Sequence, residues 1–136
     1  MATIIGEIMK IKALAAAAAC ATLLSACGTT IQKDASYKDV MALRDAYVAA
    51  GVVSDHKCQD KPTQDAKADQ GWQATTCGSN TVLVVFDNSA ALDKMVAQDV
   101  KFKTARNAVL VGSNWEARGP EFEMKDLQGK LGGTLK

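Results

Sequence analysis

The sequence predicts an α+β domain of about four strands with helices packed on the sheet, in the order α-β-β-β-α-β-α and with one disulfide. Three stretches carry apolar residues at helical spacing, and an almost unbroken β-branched run, Thr81-Val82-Leu83-Val84-Val85-Phe86, lies between two of them. This order of helices and strands is typical of an α+β sandwich.

The first half of the domain supplies one helix and three strands. Apolar residues recur at helical spacing over residues 37–50, and Gly51 stands where a C′ glycine ends a helix. Two strands are expected next, Val52 to Cys58 and Gly71 to Cys77, separated by an exposed polar loop at residues 59–70. The run at 81–86 predicts a central strand that is buried on both faces.

The second half supplies two helices and one strand. Asp87-Asn88-Ser89 offers N-cap side chains for a helix that reaches Gln98. A strand at 108–111 ends at Gly112-Ser113-Asn114, and Trp115-Glu116-Ala117 extends it past a bulge. Pro120 is placed to open the last helix, which ends before Gly132-Gly133.

Few large side chains are available for the core, so Val, Leu and Ala must fill most of it. The expected large anchors are Tyr47, Trp72, Phe86, Phe102, Trp115 and Phe122.

The N-terminal region has the three parts of a secretory signal. Two lysines, Lys10 and Lys12, precede an alanine-rich apolar run, and Leu24-Ser25-Ala26-Cys27 closes it with small residues before a cysteine. This is a lipobox, in which the Cys27 thiol receives diacylglycerol before cleavage. A buried or membrane-spanning helix is the alternative interpretation of this run. The run is shorter than the ~20 residues that a membrane-spanning helix needs.

The predicted organisation is therefore a lipoprotein signal peptide at 1–26, a lipidated tether at 27–36 and the α+β domain at 37–136. Glu7 is unusual in a signal, whereas Met9-Lys10-Ile11-Lys12 is a conventional start, so translation from Met9 is an alternative to Met1. A diacylglyceryl, palmitate-bearing Cys27 predicts a membrane-anchored protein of the cell envelope that faces away from the cytoplasm, at the outer surface or in the periplasm.

Cys58 and Cys77 remain once Cys27 is lipidated and Cys20 is removed with the signal. Disulfides form and persist outside the cytoplasm, so these two are predicted to pair. A redox pair is the alternative, but the spacing lacks the CxxC pattern that lowers a thiol pKa.

Charge argues against a nucleic-acid partner. Removing residues 1–26 takes away two of the 16 basic and one of the 15 acidic side chains, which leaves a formally neutral chain. Lys101-Phe102-Lys103 with Arg106 is too small for a phosphate-backbone site and indicates a solvated helix end.

Candidate catalytic and metal-binding patterns are missing from the sequence. His56 is the single histidine, which excludes zinc sites of the usual spacing. Three carboxylates surround the start of the last helix, where the positive end of the helix macrodipole stabilises negative charge: Glu116, Glu121 and Glu123. The loop at 59–70 lacks the ligand order of a calcium site. We expect no enzyme activity, no cofactor and no metal.

The stretch from Val109 to Trp115, followed by a helix that ends at Leu131-Gly132-Gly133-Thr134, resembles the end of small lipoproteins of Gram-positive actinobacteria and their phages. That group is largely uncharacterised, so the resemblance implies a location and a fold but no catalytic residue. The expected function is a non-enzymatic interaction or binding module with an unknown envelope protein partner. The alternatives are a phage or prophage superinfection-exclusion lipoprotein and a ligand-binding or hydrolytic lipoprotein with a pocket near Trp72 and Trp115.

Overall fold

A computed structural model describes residues 31–52, 57–63 and 70–136 of the chain. The signal peptide, the lipobox with Cys27, residues 53–56 with His56, and residues 64–69 lie outside the described residues. The elements in chain order are α1 (Val40–Ala50), β1 (Trp72–Cys77), β2 (Thr81–Phe86), α2 (Ser89–Phe102), β3 (Asn107–Val111), β4 (Trp115–Pro120), α3 (Glu121–Leu131) and β5 (Thr134–Leu135).

Side-chain caps and glycines set the helix boundaries. The Asp39 carboxylate accepts a hydrogen bond from the backbone N–H of Ala42 at 2.8 Å, so α1 begins at Val40 rather than at residue 37. Gly51 ends α1 in the left-handed region, with φ of 62°, as the sequence predicts. The predicted N-cap of α2 is also confirmed, because the Asn88 side chain accepts from the N–H of Ala91 at 2.8 Å.

The strands form one sheet in the order β1-β2-β4-β3-β5, and every neighbouring pair is antiparallel. The predicted α+β class, with helices packed on the sheet and one disulfide, is confirmed. The central strand β2 pairs with both β1 and β4, and Leu83 and Val84 are fully buried on its two faces. The run at 81–86 therefore has the two-sided burial that its composition predicts.

Three local differences separate this sheet from the predicted order. Cys58 forms an isolated bridge to Cys77, and no strand occupies the described part of 52–58. Trp115 begins a separate strand, because the turn at 112–114 reverses the chain and makes β3 and β4 a hairpin. The short strand β5 follows Gly132-Gly133 and pairs with β3, and it was not predicted from the sequence.

The sheet has a core on each face. Helices α1 and α3 cover one face together, whereas α2 covers the other. The first core contains Val40, Leu43, Tyr47, Leu83, Leu110, Trp115, Met124, Leu127 and Leu131, and the second contains Ala74, Val84, Phe86 and Leu92.

Two of the expected core anchors are at the surface. Phe102 is 70% exposed and Phe122 is 66% exposed, so their assignment to the core is wrong. Each lies at a helix end, Phe102 at the last residue of α2 and Phe122 in the first turn of α3, beyond the area that the sheet covers.

The predicted disulfide between Cys58 and Cys77 is present, with Cys77 fully buried. It holds the described segment 57–63 against the free edge of β1, where backbone hydrogen bonds also join Gln59 to Thr76 and Thr63 to Ala74. None of the helices in the described ranges is long and apolar enough to cross a lipid bilayer.

The segment before α1 lies on the domain at the β3–β4 turn. The Trp115 indole Nε1 donates to the Ala35 carbonyl at 3.0 Å. Asn114 accepts from the Tyr37 backbone N–H at 3.0 Å and donates to the Tyr37 carbonyl at 2.7 Å. Asp34 is also bonded to the domain, through its backbone N–H to the Leu131 carbonyl and through its side chain, which accepts from the Gly133 N–H. Of the predicted tether at 27–36, the part from residue 34 onward is therefore fixed to the domain.

Candidate functional site

A groove of about 490 Å³ runs along α2 on the face of the sheet that this helix covers. This volume is within the usual range for small-molecule sites. Its walls are formed by Gln70, Trp72, Ala91, Lys94, Met95, Gln98, Asp99 and Arg118.

The groove exists because α2 covers only part of its face of the sheet. The helix packs on β2, β3 and β4, and Leu92 is its one buried residue within the described structure. Strand β1 is at the edge of the sheet, and the half-buried Trp72 stands at its first position. The indole therefore forms one wall of the groove and α2 forms the other.

The polar end of the groove is an ion pair between the helix and the sheet. Arg118 of β4 donates from Nη1 to Oδ1 of Asp99 on α2. The Asp99 side chain is 14% exposed and the Arg118 side chain is 38% exposed, so the pair is partly desolvated. Such a pair fixes the register of α2 on the sheet more firmly than a fully solvated one.

Glu116 lies beneath this pair and is completely buried. It shares a face of β4 with Arg118, because side chains two residues apart in a strand point the same way. If both acidic groups were carboxylates, Oδ2 of Asp99 and both Glu116 oxygens would lack a hydrogen-bond donor within the described structure. A proton on Glu116, donated to Asp99, would pair Oδ2 of Asp99 with one of the two Glu116 oxygens.

The surroundings of Glu116 favour that protonated form. Burial, together with the hydrogen bond and the charge of Asp99, raises its pKa from the ordinary 4.5 to about 9, against the opposing effect of Arg118. At neutral pH the groove therefore ends in a neutral Glu116, an anionic Asp99 and a cationic Arg118.

The geometry of this acidic pair differs from that of glycoside hydrolases. Those enzymes hold their two carboxyl groups about 5–5.5 Å apart for retention and farther apart for inversion. Glu116 instead lies against Asp99, and the hydrogen bond between the two groups raises the pKa of Glu116.

A second buried carboxyl group belongs to Glu123 on the opposite face of the sheet. The Tyr47 hydroxyl of α1 donates to its Oε1, and the Thr81 hydroxyl donates to the same oxygen at 2.8 Å. Burial and the neighbouring Glu123 raise the pKa of Tyr47. These bonds join α1, β2 and α3 inside the core, so Glu123 has a structural role.

A second surface lies at the open end of the β3–β4 hairpin, next to Asp99 and Arg118, and we call it the phenylalanine surface. Phe122 borders a hollow of about 630 Å³, and Phe102 borders another of about 240 Å³. Asn80 and Asn107 line both hollows, so the two are neighbours. The basic residues of this surface are Lys101, Lys103 and Arg106.

The structure separates the residues that the sequence analysis grouped. Trp72 lines the groove, whereas Trp115 is fully buried between the sheet and the helices. Glu121 is in the first turn of α3 and pairs with Lys125 at 2.6 Å, as helix chemistry predicts. Glu116 instead belongs to β4, so its assignment to the helix start is wrong.

Neither Asp99 nor Arg118 was predicted from the sequence as part of a site. Asp99 falls beyond Gln98, where the second helix was expected to end, and Arg118 follows the segment that was interpreted as a bulged extension. The alternation Trp115-Glu116-Ala117-Arg118 is the signal that places Glu116 and Arg118 on one face of a strand. No sequence pattern indicates that α2 supplies their partner.

Within the described ranges, no cluster of three or more histidine, cysteine or acidic side chains is arranged to hold a metal ion. Comparisons of the chain with protein-family models, curated proteins and solved structures find no match.

Proposed function

We propose that this chain is a lipid-anchored protein of the cell envelope whose domain binds a protein partner and catalyses no reaction. The anchor rests on the sequence Leu24-Ser25-Ala26-Cys27 after an apolar run. The observation that carries the binding role is the position of the phenylalanine surface, at the opposite end of the β3–β4 hairpin from the segment through which the chain enters the domain.

The entry segment supports an orientation relative to the membrane. Residues 35–37 are hydrogen-bonded at the closed end of the hairpin, next to Asn114 and Trp115. Only three residues, 28–30, separate Cys27 from Ile31. An extended chain of that length spans roughly 14 Å, so lipidation of Cys27 would keep the closed end of the hairpin near the bilayer.

The open end of the hairpin then points away from the bilayer. Asn107 begins β3 and is paired with Pro120 at the end of β4, so this end is a full strand length from Asn114. Each of the two phenylalanines has more than 60% of its surface exposed and borders one of two neighbouring hollows, which supports a contact surface at this end.

The charges around the phenylalanines indicate the chemistry of the partner. Lys101, Lys103 and Arg106 are cationic, and Glu121 of the same region is already paired with Lys125. An acidic protein surface with protruding apolar side chains would complement this surface in both respects.

Photo-cross-linking in the native host tests the proposal. A photoreactive residue at Phe122 is expected to capture one acidic envelope protein, and the same residue at Val48 on α1 is the matched control because Val48 is also an exposed apolar residue, at 56%. Capture should require Cys27 and should be lost in the double variant Lys103→Glu, Arg106→Glu. Equal capture from both positions, or capture that survives charge reversal, would contradict the proposed surface.

The anchor is tested separately. Membrane fractionation and mass spectrometry of the mature N-terminus should find a diacylated Cys27, and Cys27→Ala should release the protein from the membrane fraction. Unchanged membrane association of Cys27→Ala would refute the anchor, whatever the cross-linking result.

A further inference from the structure

We propose that the groove along α2 binds a saccharide, with a sugar ring stacked on Trp72 and its hydroxyl groups bonded to Asp99, Arg118 and Gln98. The groove adjoins the phenylalanine surface, because Asp99 and Arg118 also line the hollow beside Phe102. The hollow beside Phe122 shares no residue with the groove, so loss of capture from Phe122 and loss of saccharide binding can be distinguished.

Trp72 supplies the platform that a sugar ring requires. The C–H groups on one face of a sugar ring are apolar and pack on a flat aromatic surface. Trp72 is half-buried and lines the groove, and Met95 and Ala91 of α2 extend the apolar wall. Trp115, the other tryptophan, is fully buried and donates its indole N–H to Ala35, so it offers no such surface.

The polar walls match the hydroxyl groups of a sugar. Each hydroxyl both donates and accepts hydrogen bonds, so a saccharide site needs donors and acceptors close together. The Asp99 carboxylate accepts, the Arg118 guanidinium donates, and the Gln70 and Gln98 amides do both. All four line the same groove as the indole of Trp72.

The polar end of the groove is ordered before any ligand arrives. Arg118 and Asp99 hold each other, and the buried Glu116 lies against Asp99 from below. Groups fixed in this way lose little conformational freedom on binding, which favours affinity in a shallow site.

The charge of the groove selects among saccharides. Asp99 and Arg118 compensate each other and Glu116 is neutral, so the exposed Lys94 leaves one net positive charge. Neutral and acidic sugars are therefore favoured, and a sugar with a free ammonium group is disfavoured.

Titration of the detergent-solubilised full-length protein tests this inference. The probes are the β-1,4-linked tetramers of N-acetylglucosamine and of glucose, a galacturonic acid tetramer, and the glucosamine tetramer as the cationic counterpart of the first. Tryptophan fluorescence is the readout, because Trp72 lines the groove and Trp115 is buried. We expect a saturable change with at least one neutral or acidic tetramer and binding about tenfold weaker for the glucosamine tetramer.

Two variants locate the binding. Gln98→Ala removes an exposed amide without touching the core and should weaken binding by roughly three- to tenfold. Trp72→Phe should abolish the fluorescence change and weaken the binding measured by calorimetry. Phe122→Ser on the phenylalanine surface should leave that binding unchanged, because Phe122 borders a hollow that shares no residue with the groove. Thermal unfolding of each variant shows whether it is folded. If Trp72→Phe does not fold, Gln98→Ala still tests the inference.

Three results would overturn the inference. The first is the absence of a saturable response to every tetramer up to about 10 mM, well above the roughly 1 mM dissociation constant of a weak site. The second is binding that neither Gln98→Ala nor Trp72→Phe alters. The third is a preference for the glucosamine tetramer over its acetylated form.

Discussion

Replacing Glu116 by Gln should make the domain more stable at pH 8 and change its stability little at pH 5. The protonated Glu116 donates a hydrogen bond to Asp99 within a fully buried environment. Glutamine has nearly the same shape, and its amide can donate to Asp99 at every pH. The variant therefore preserves the hydrogen bond and removes the ionisable group.

The magnitude follows from the difference between two pKa values of Glu116. The pKa is about 9 in the folded protein, and the ordinary value of 4.5 applies to the unfolded chain. Between these values the folded protein holds a proton that the unfolded chain has released, so unfolding becomes more favourable as the pH rises. The stabilisation is complete below pH 4.5 and is lost progressively as the pH approaches 9. One such group changes the free energy of unfolding by at most about 1.4 kcal/mol per pH unit, or about 4 kcal/mol between pH 5 and pH 8.

Urea unfolding at pH 5, 6, 7 and 8, followed by tryptophan fluorescence with the disulfide intact, measures this slope. The control is Glu121→Gln, because the hydrogen bond and charge of Lys125 lower the pKa of this exposed group and keep it ionised over this range. Wild type and Glu121→Gln should both lose stability as the pH rises, whereas Glu116→Gln should not. Parallel curves for wild type and Glu116→Gln would refute a protonated Glu116.

Other substitutions test the structural elements around the site. Replacing both Cys58 and Cys77 by Ser should lower the free energy of unfolding by about 3 kcal/mol in urea titrations, since the bond closes a loop of 19 residues. Gly112→Ala would place a methyl group in steric overlap with the Trp115 indole, so we expect the free energy of unfolding to fall by roughly 1–3 kcal/mol and the tryptophan spectrum to change. Leu92→Ala removes the buried apolar side chain of α2 and should cost about 2–4 kcal/mol, with hydrogen exchange increasing first in that helix.

Much of the fold could be predicted because local signals and tertiary packing agree. The run at 81–86 is a central strand, Asn88 caps α2, and Gly51 ends α1. Where tertiary contacts determine whether an element forms, local sequence signals do not predict it. Strand β5 has two residues, too few for a periodic pattern, and it exists because Gly132 and Gly133 adopt positive φ and return the chain to β3.

The groove could be predicted only in part. Alternation along 115–118 would have placed Glu116 and Arg118 on one face once β4 was recognised as a strand. Asp99 is 19 residues from Arg118 in sequence, and their pairing depends on how α2 crosses the sheet. The exposure of Phe102 and Phe122 depends equally on where the helix ends fall relative to the sheet edge, which composition does not determine.

The two buried acidic groups show how the same residue type can have different roles in one small domain. Glu123 accepts hydrogen bonds from the hydroxyl groups of Tyr47 and Thr81 within the core. Its interactions are therefore directed inward and join three elements. Glu116 instead contacts Asp99, whose carboxylate lines the groove. An apolar residue at position 116 would avoid the cost of burying an acidic group, but Asp99 would then have no donor beneath it. Glu116 therefore lowers the stability of the domain at alkaline pH and holds the Asp99 carboxylate in place in the groove. Under our proposal this carboxylate accepts hydrogen bonds from the sugar hydroxyls.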